Sequence, residues 1–484
     1  MKELTLNKRQ RNIAMASVLT VACVLYALVS LVNHYCFKTY ALDLGLYTHA
    51  LYQYAHLHMA DCGMFKDAQL SILSDHFDLY LPILSPLVFV FGSYTLLLVQ
   101  IAAVLMGAFG VYKLIGLYTD DNLLPVLASA TLLFSFGVIH PFAFDYHSNV
   151  LTAMMLPWLL YYLKRGRYGL ATLFVVLFVI GKENMSLWLF FIAIALMWDY
   201  RKDKKALWYL AGYAVFSLAY FIIINMIVMP KLGGAGGGFS RYHYLGENYV
   251  EVAKNLVLHP GNTIRLLTTN MSGLESFDGV KAEFYYCALA TGLLLTILKP
   301  NYLVMLIPLV AQKMLASDGN FWGVSYQYSV ECMPVIVISS FLVILKYLNS
   351  RWRVVAASVL LVSTLLTTFY TIGVPKTPIS VDQLCVYQGR HYRQSKFDAD
   401  YARQLIEMIP DDAHVCAASM FVPHLALREK IEDFAASNNT KAEYVLITDH
   451  YFGFKRYGQP IFSRDGFEEV ATDGTLYLFR RIRP

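Results

Sequence analysis

The chain has 484 residues, of which 57% are hydrophobic and 15% charged, with a formal net charge of +5 and a mean hydropathy of +0.47. Soluble domains carry about a quarter charged residues, so this composition excludes a soluble globular protein and indicates a multi-pass membrane protein. The basic residues sit in short loops between apolar runs, a distribution that reports membrane topology and argues against a nucleic-acid-binding surface.

Residues 2–12, KELTLNKRQRN, precede an apolar run over 13–32, about the 20 residues that a spanning helix needs. The run is longer than a signal-peptide core and no small-residue cleavage site follows, so it reads as an uncleaved first span. Further runs fall at about 94–117, 123–139, 150–163, 168–180, 185–198, 206–229, 284–298, 302–315, 328–345 and 354–372, giving about eleven spans. With that count the basic clusters Lys2, Lys8, Arg9 and Arg11, then Lys164, Arg165 and Arg167, then Arg201, Lys202, Lys204 and Lys205, then Lys346, Arg351 and Arg353 share one side, the cytoplasmic one.

The runs at 168–180 and 185–198 would each reach only about 20 Å as helices. Basic loops flank the pair on both sides, so the chain crosses twice between them. Lys182, Glu183 and Asn184 mark the far turn, at or below the outer interface. The same bookkeeping puts 34–93, 140–149, 230–283, 316–327 and everything after 373 outside. Segment 79–91, with Pro82 and Pro86, reads as a membrane-embedded part of the first outer loop.

From about 375 charged residues return. Short apolar runs at 414–418, 444–448 and 475–479 read as strands, and 398–408 as a helix, so 375–484 is expected to be a small extracytoplasmic α/β domain following a multi-span part over 1–374. The GGAGGG tract at 233–238 reads as a flexible piece of the large outer loop. Seven cysteines show no CxxC spacing, which argues against zinc. Cys36 with Cys62, or Cys385 with Cys416, could pair in an oxidising compartment or remain free thiols.

Four polar clusters fall on the outer side: ALDLGLY at 41–47, SDHFDLY at 74–80, FDYHSN at 144–149 and GKEN at 181–184. Asp43 lies in a helix-like pattern extending to Tyr54. Its carboxylate could act as general base toward an acceptor hydroxyl, or cap the helix. His76 has acidic neighbours Asp75 and Asp78, which favour its charged form and suit it to hold a phosphate or a metal; the same turn could cap a helix. Asp145 and His147 sit two apart, close enough to reach one ligand, as ordinary turns also allow. Lys182 and Glu183 carry the strongest signal, because ionisable groups at membrane depth are costly. They could meet a phosphate, or form a structural ion pair with Asp145 or Glu275. Arg241, His243, Tyr326 and Tyr328 are individually more often structural.

Taken in order, ALDLGLYTHALY, the DHF stretch followed by LPILSPL, the FDYH turn, KEN after a short span, and PDDAHVCAASMFVPHLALR resemble the predicted membrane protein family of unknown function 2079. There the corresponding stretches read roughly FDLG, HF, FDFHPD, KED and a late PHL. That family resembles the GT-C glycosyltransferase superfamily, multi-span proteins that take sugars from polyprenyl-phosphate carriers and place the catalytic acid in the first outer loop. The resemblance implies Asp43 as that acid, with His76, Asp145, His147, Lys182 and Glu183 around the substrate, in the cytoplasmic membrane of a prokaryote. Ser148 and Asn149 replace a Pro-Asp ending and Asn184 replaces an acid. These departures weaken the case for a divalent metal, and neither metal nor cofactor is assigned. The implied partners are the bilayer, a polyprenyl-phosphate sugar and an acceptor that the sequence does not identify. Two other readings use the same residues: a transporter or flippase for a lipid-linked or anionic substrate, and a non-catalytic scaffold for envelope assembly. The paired broken helices of an inverted repeat, which would favour transport, are not visible.

Overall fold

The computed structural model describes residues 7–65, 67–234, 239–373, 376, 381–437, 441–450 and 466–482. Lys2 and four residues of the glycine tract expected to be flexible, 235–238, lie outside the described residues. The chain forms two compact units. One comprises residues 1–26, 100–228 and 236–384; the other comprises 27–99, 229–235 and 385–484.

The first unit is helical, as its long apolar runs require. Among the described residues four helices of the whole chain are long and apolar enough to cross a membrane: Lys8–Tyr35, Tyr80–Ile115, Lys204–Lys231 and Ser350–Gly373. A fifth span would be the pair Leu124–Leu133 and Phe136–Ala143, bent by 55° at its break. The remaining apolar runs form shorter helices, among them Leu156–Lys164, Tyr168–Val179, Glu183–Asp199, Pro300–Met314 and Cys332–Tyr347. Polar turns cut these runs short, and the helices gain burial by packing on one another: Glu183–Asp199 lies against both Lys204–Ile223 and Pro300–Met314. Tyr26 shows how a phenol is accommodated in this interior, stacking on Phe142 at 4.1 Å while its hydroxyl donates to Leu133 O at 2.7 Å.

Segment 79–91, expected as a membrane-embedded part of the first outer loop, is helical. Helices Tyr80–Leu84 and Val88–Phe91, joined by short 3-10 turns at Ser85–Leu87 and Gly92–Tyr94, run directly into Thr95–Ile115. Pro86 is tolerated because it stands in the first turn of its 3-10 segment, where no hydrogen bond to its nitrogen is lost.

The second unit carries the sheets. Strands β1 (Asp61–Cys62) and β2 (Asp67–Ser71) form a small antiparallel pair. The tail contributes β3 (Val415–Ala417), β4 (Ile431–Asp433), β5 (Tyr444–Thr448), β6 (Phe467–Thr472) and β7 (Leu476–Arg481), in spatial order β4-β3-β5-β7-β6. β3 pairs parallel with β4 and β5, whereas β5, β7 and β6 run antiparallel. The three strands expected from apolar runs are β3, β5 and β7, the interior strands of the sheet. The expected helix is Ala399–Glu407, capped by the Asp398 carboxylate, which accepts from the N–H groups of Asp400 and Tyr401. All seven cysteines are free thiols.

Candidate functional site

The polar clusters divide between the units. Asp43 and His76 belong to the unit containing 27–99; Asp145, His147, Lys182 and Glu183 belong to the other.

In the first unit, the FDYH turn is fixed by a side chain from another helix. The fully buried Gln100 donates through Nε2 to Asp145 O at 2.9 Å and accepts at Oε1 from His147 N at 2.9 Å. One amide thus satisfies two buried backbone groups of the turn. Asp145 takes a left-handed φ of 58°, which an aspartate tolerates better than most side chains. His147 Nε2 lies 2.7 Å from Phe144 O. A carbonyl only accepts, so Nε2 carries the hydrogen. The Phe144 ring is flanked by His147 at 5.3 Å and by Tyr326, edge-on, at 4.5 Å; Tyr326 itself holds a φ of 62°.

The adjoining helix Ser148–Ala153 supplies Asn149, whose amide donates to Glu331 Oε1 at 2.7 Å. Glu331 stands at the start of Cys332–Tyr347 and lies within electrostatic reach of Lys182 and Lys313. Glu331 is thus an acid within electrostatic reach of Lys182 that the sequence did not point to. Lys182 is the N-cap of Glu183–Asp199 in extended conformation, and Glu183 occupies the first turn, where the helix dipole favours an anion. Asn184 donates to Gln312 at 2.9 Å, and the charge of Glu183 is felt by Tyr220 and Tyr249. Lys313 is buried and donates to the carbonyls of Phe321 and Gly323. The FDYH turn is thus tied to Glu331 through Asn149, with Lys182 of the KEN turn within electrostatic reach. Chemically, this is a buried acid with two lysines in range, beside a histidine that donates from Nε2.

Gln100, Lys313 and Glu331 were missed by sequence reasoning. Each interrupts a run counted as a span, and the cost of a polar group at that depth was the signal that could have found them.

In the second unit, the ALDLG segment is not the continuous helix expected. Leu42 is extended and Asp43 sits at φ 68°, ψ −91°, the strained γ-turn region, before Leu46–Ala55 begins with Gly45 as its N-cap. Asp43 is half-buried and does not occupy the cap position. The segment packs on the late PHL motif of the tail: Ala41 N donates to Ser419 Oγ at 3.0 Å, and a Cβ on Gly45 would stand 2.9 Å from Val422 Cγ1. His424 of that motif stacks on His34 at 4.1 Å, with planes 3° apart. Burial, then the neighbouring His34, hold the His424 imidazole well below its ordinary value, so it is neutral. His49 donates from Nδ1 to Ala426 O at 3.1 Å and is also lowered by burial.

His76 is half-buried in the 74–80 turn. Asp78 of that turn accepts from Tyr80 N at 2.8 Å, one residue before the Leu79 N-cap of Tyr80–Leu84. The turn lies close to the chain at Gly234, where an added Cβ would meet Ser74 O at 2.7 Å. Among the described residues no group of three or more His, Cys, Asp or Glu side chains could hold a metal ion.

The fold resembles that of ArnT from Cupriavidus metallidurans bound to undecaprenyl phosphate, with 10% identity, a TM-score of 0.51 and coverage of 96% of this chain and 97% of that one. The mycobacterial arabinofuranosyltransferase AftD aligns with a TM-score of 0.46 and 12% identity, over 99% of this chain and 42% of its own. No curated protein matches the sequence. Residues 33–462, most of the chain, match the family described as predicted membrane protein (DUF2079), and the chain belongs to that family.

Proposed function

We propose that the protein is a membrane glycosyltransferase that moves a sugar from a polyprenyl-phosphate carrier to an envelope acceptor at the outer face of a prokaryotic cytoplasmic membrane. The observation that carries this reading is the state of Asp43: a half-buried acid in the first loop after the first span, held at a strained φ of 68° by packing on the PHL motif. Such strain persists only where the surroundings over-determine it, and it gathers at functional sites. The fold shared with ArnT, whose structure holds undecaprenyl phosphate, supports the carrier class.

In this mechanism Asp43 accepts the proton of the acceptor hydroxyl as that oxygen attacks the anomeric carbon. The bond from the anomeric carbon to the phosphate oxygen breaks, and the departing polyprenyl phosphate keeps the electron pair. His76, in the same unit as Asp43, stabilises its charge. Direct displacement inverts the anomeric centre. Residues 1–374 form the multi-span part, with about eleven crossings and a cytoplasmic N-terminus, and 375–484 form an outer domain that recognises the acceptor. The mechanism as written uses no metal.

The test is turnover of a panel of polyprenyl-phosphate sugars by the purified protein in lipid, read as released polyprenyl phosphate. Release or transfer supports the reading. Donor binding without release moves the function to transport or scaffolding.

A further inference from the structure

The helix Glu183–Asp199 carries the KEN turn at one end and Asp199 at the other, about 25 Å away at 1.5 Å per residue. Around Asp199 a cavity of about 400 Å³ opens within the helical unit. Its wall draws Lys164, Lys299 and Lys346 from the ends of three helices that are separate in sequence. These helix ends adjoin loops that the charge pattern assigns to one side of the membrane.

The cations are differently engaged. Lys299 Nζ reaches both oxygens of Asp199, at 3.1 and 2.9 Å. Lys164 lies over the Tyr118 ring at 4.5 Å, and Lys346 lies over the Tyr347 ring at 4.7 Å while donating to its hydroxyl. Among the described residues neither Lys164 nor Lys346 forms an ion pair, so three lysines and one aspartate leave the cavity with two positive charges uncompensated. Lysines that serve only to orient a membrane protein need no cavity; here they converge on one. The floor is apolar, with Leu114, Leu160 and Leu196, and Leu298 at the rim is exposed. Trp198, next to Asp199 in the chain, is also exposed, with the Arg201 guanidinium 5.2 Å from its ring. Lysine, tryptophan and exposed leucine together make the composition of a membrane interface.

We propose that this cavity is a phosphate-ester site that takes the headgroup of an anionic membrane lipid, with Lys164 and Lys346 meeting the phosphate and Leu298 marking where the acyl chains leave. It stands apart from the transferase reading, because it lies at the opposite end of the helix from the family motifs.

The test is binding of phosphatidylglycerol, phosphatidylcholine and inorganic phosphate to the full-length protein in detergent, by native mass spectrometry. Phosphatidylglycerol should bind roughly tenfold or more tighter than phosphatidylcholine, and Lys164→Gln with Lys346→Gln should remove that preference, since each interfacial lysine is worth about a fivefold change. Asp199→Asn releases Lys299 and should tighten binding several-fold, an effect of opposite sign that misfolding does not produce. An unchanged preference in the double variant overturns the proposal, as does an equal loss from Lys202→Gln with Lys204→Gln. Displacement of the lipid by millimolar inorganic phosphate would assign the site to a soluble anion instead.

Discussion

Asn149 donates its side-chain amide to Glu331 Oε1 at 2.7 Å, tying the FDYHSN turn to a buried acid that also faces Lys182 and Lys313. Replacing Glu331 by alanine strands the Asn149 amide and leaves two cations without their acid. The expected cost is roughly 2–4 kcal/mol, with Glu331→Gln costing about 1 because its carbonyl can still accept from Asn149. Thermal unfolding of the three proteins in lipid should rank them wild type, then Gln, then Ala. A Gln variant as unstable as Ala would mean that charge rather than the hydrogen bond holds the turns together.

Gln100 satisfies two buried backbone groups with one side chain. Gln100→Leu matches its size but leaves Asp145 O and His147 N unbonded, at an expected ~2–4 kcal/mol for the two groups. Hydrogen exchange should quicken at 144–149 ahead of the rest of the unit. Unchanged protection there would show that the turn does not depend on the clamp.

Gly45 leaves no room for a side chain against Val422. Gly45→Ala should destabilise by roughly 1–3 kcal/mol, and Val422→Ala in the same chain should recover much of that by vacating the contact. Additive losses in the double variant would contradict the packing of ALDLG on the PHL motif.

The parts of this architecture that composition reveals were visible early. Membrane class follows from hydropathy, and strands β3, β5 and β7 were visible because each is an apolar run. The edge strands were not: β4 spans three residues, Ile431–Asp433, and β6 reads FEEVAT, too polar for its pattern to announce a strand. Among the site residues, Asp43, Asp145 and Lys182 stood out as charges at the ends of apolar runs. Glu331 and Gln100 did not, because each lies within or beside a run whose mean hydropathy hid it. The backbone of Asp43 was also beyond reach, since the Leu-rich pattern around it has helical spacing and the segment's contacts with Ser419 and Val422 are far away in sequence.

Burial pushes the Asp433 carboxyl up to about 6, against hydrogen bonds from Ala435 and Ala436 that lower it. The folded value lies above the unfolded one, so the fold favours the protonated acid. This group's contribution is most favourable at low pH, declines as pH rises from about 4 to 6, and is constant above that range, a change of ~1–3 kcal/mol. Hydrogen exchange of β5 should therefore give wild type a deficit against Asp433→Asn at pH 7.5 that shrinks at pH 4.5. A deficit that grows on acidification would reverse the assigned sign.

Asp43→Gly separates structure from chemistry, because glycine accepts a positive φ without strain. Relief of strain offsets loss of the carboxylate's own interactions, so stability should change by no more than about 1 kcal/mol, while turnover is lost as completely as in Asp43→Asn. A Gly variant destabilised by well over that amount would mean that the carboxylate is a structural anchor.

The most direct measurement of the central claim is release of polyprenyl phosphate from a lipid-linked sugar by the protein in lipid, wild type beside Asp43→Asn, with donor binding measured on both. The account predicts that turnover falls by 10² to 10⁴, about the contribution of a general base, while donor binding is retained. Equal turnover by both proteins would contradict Asp43 as the base.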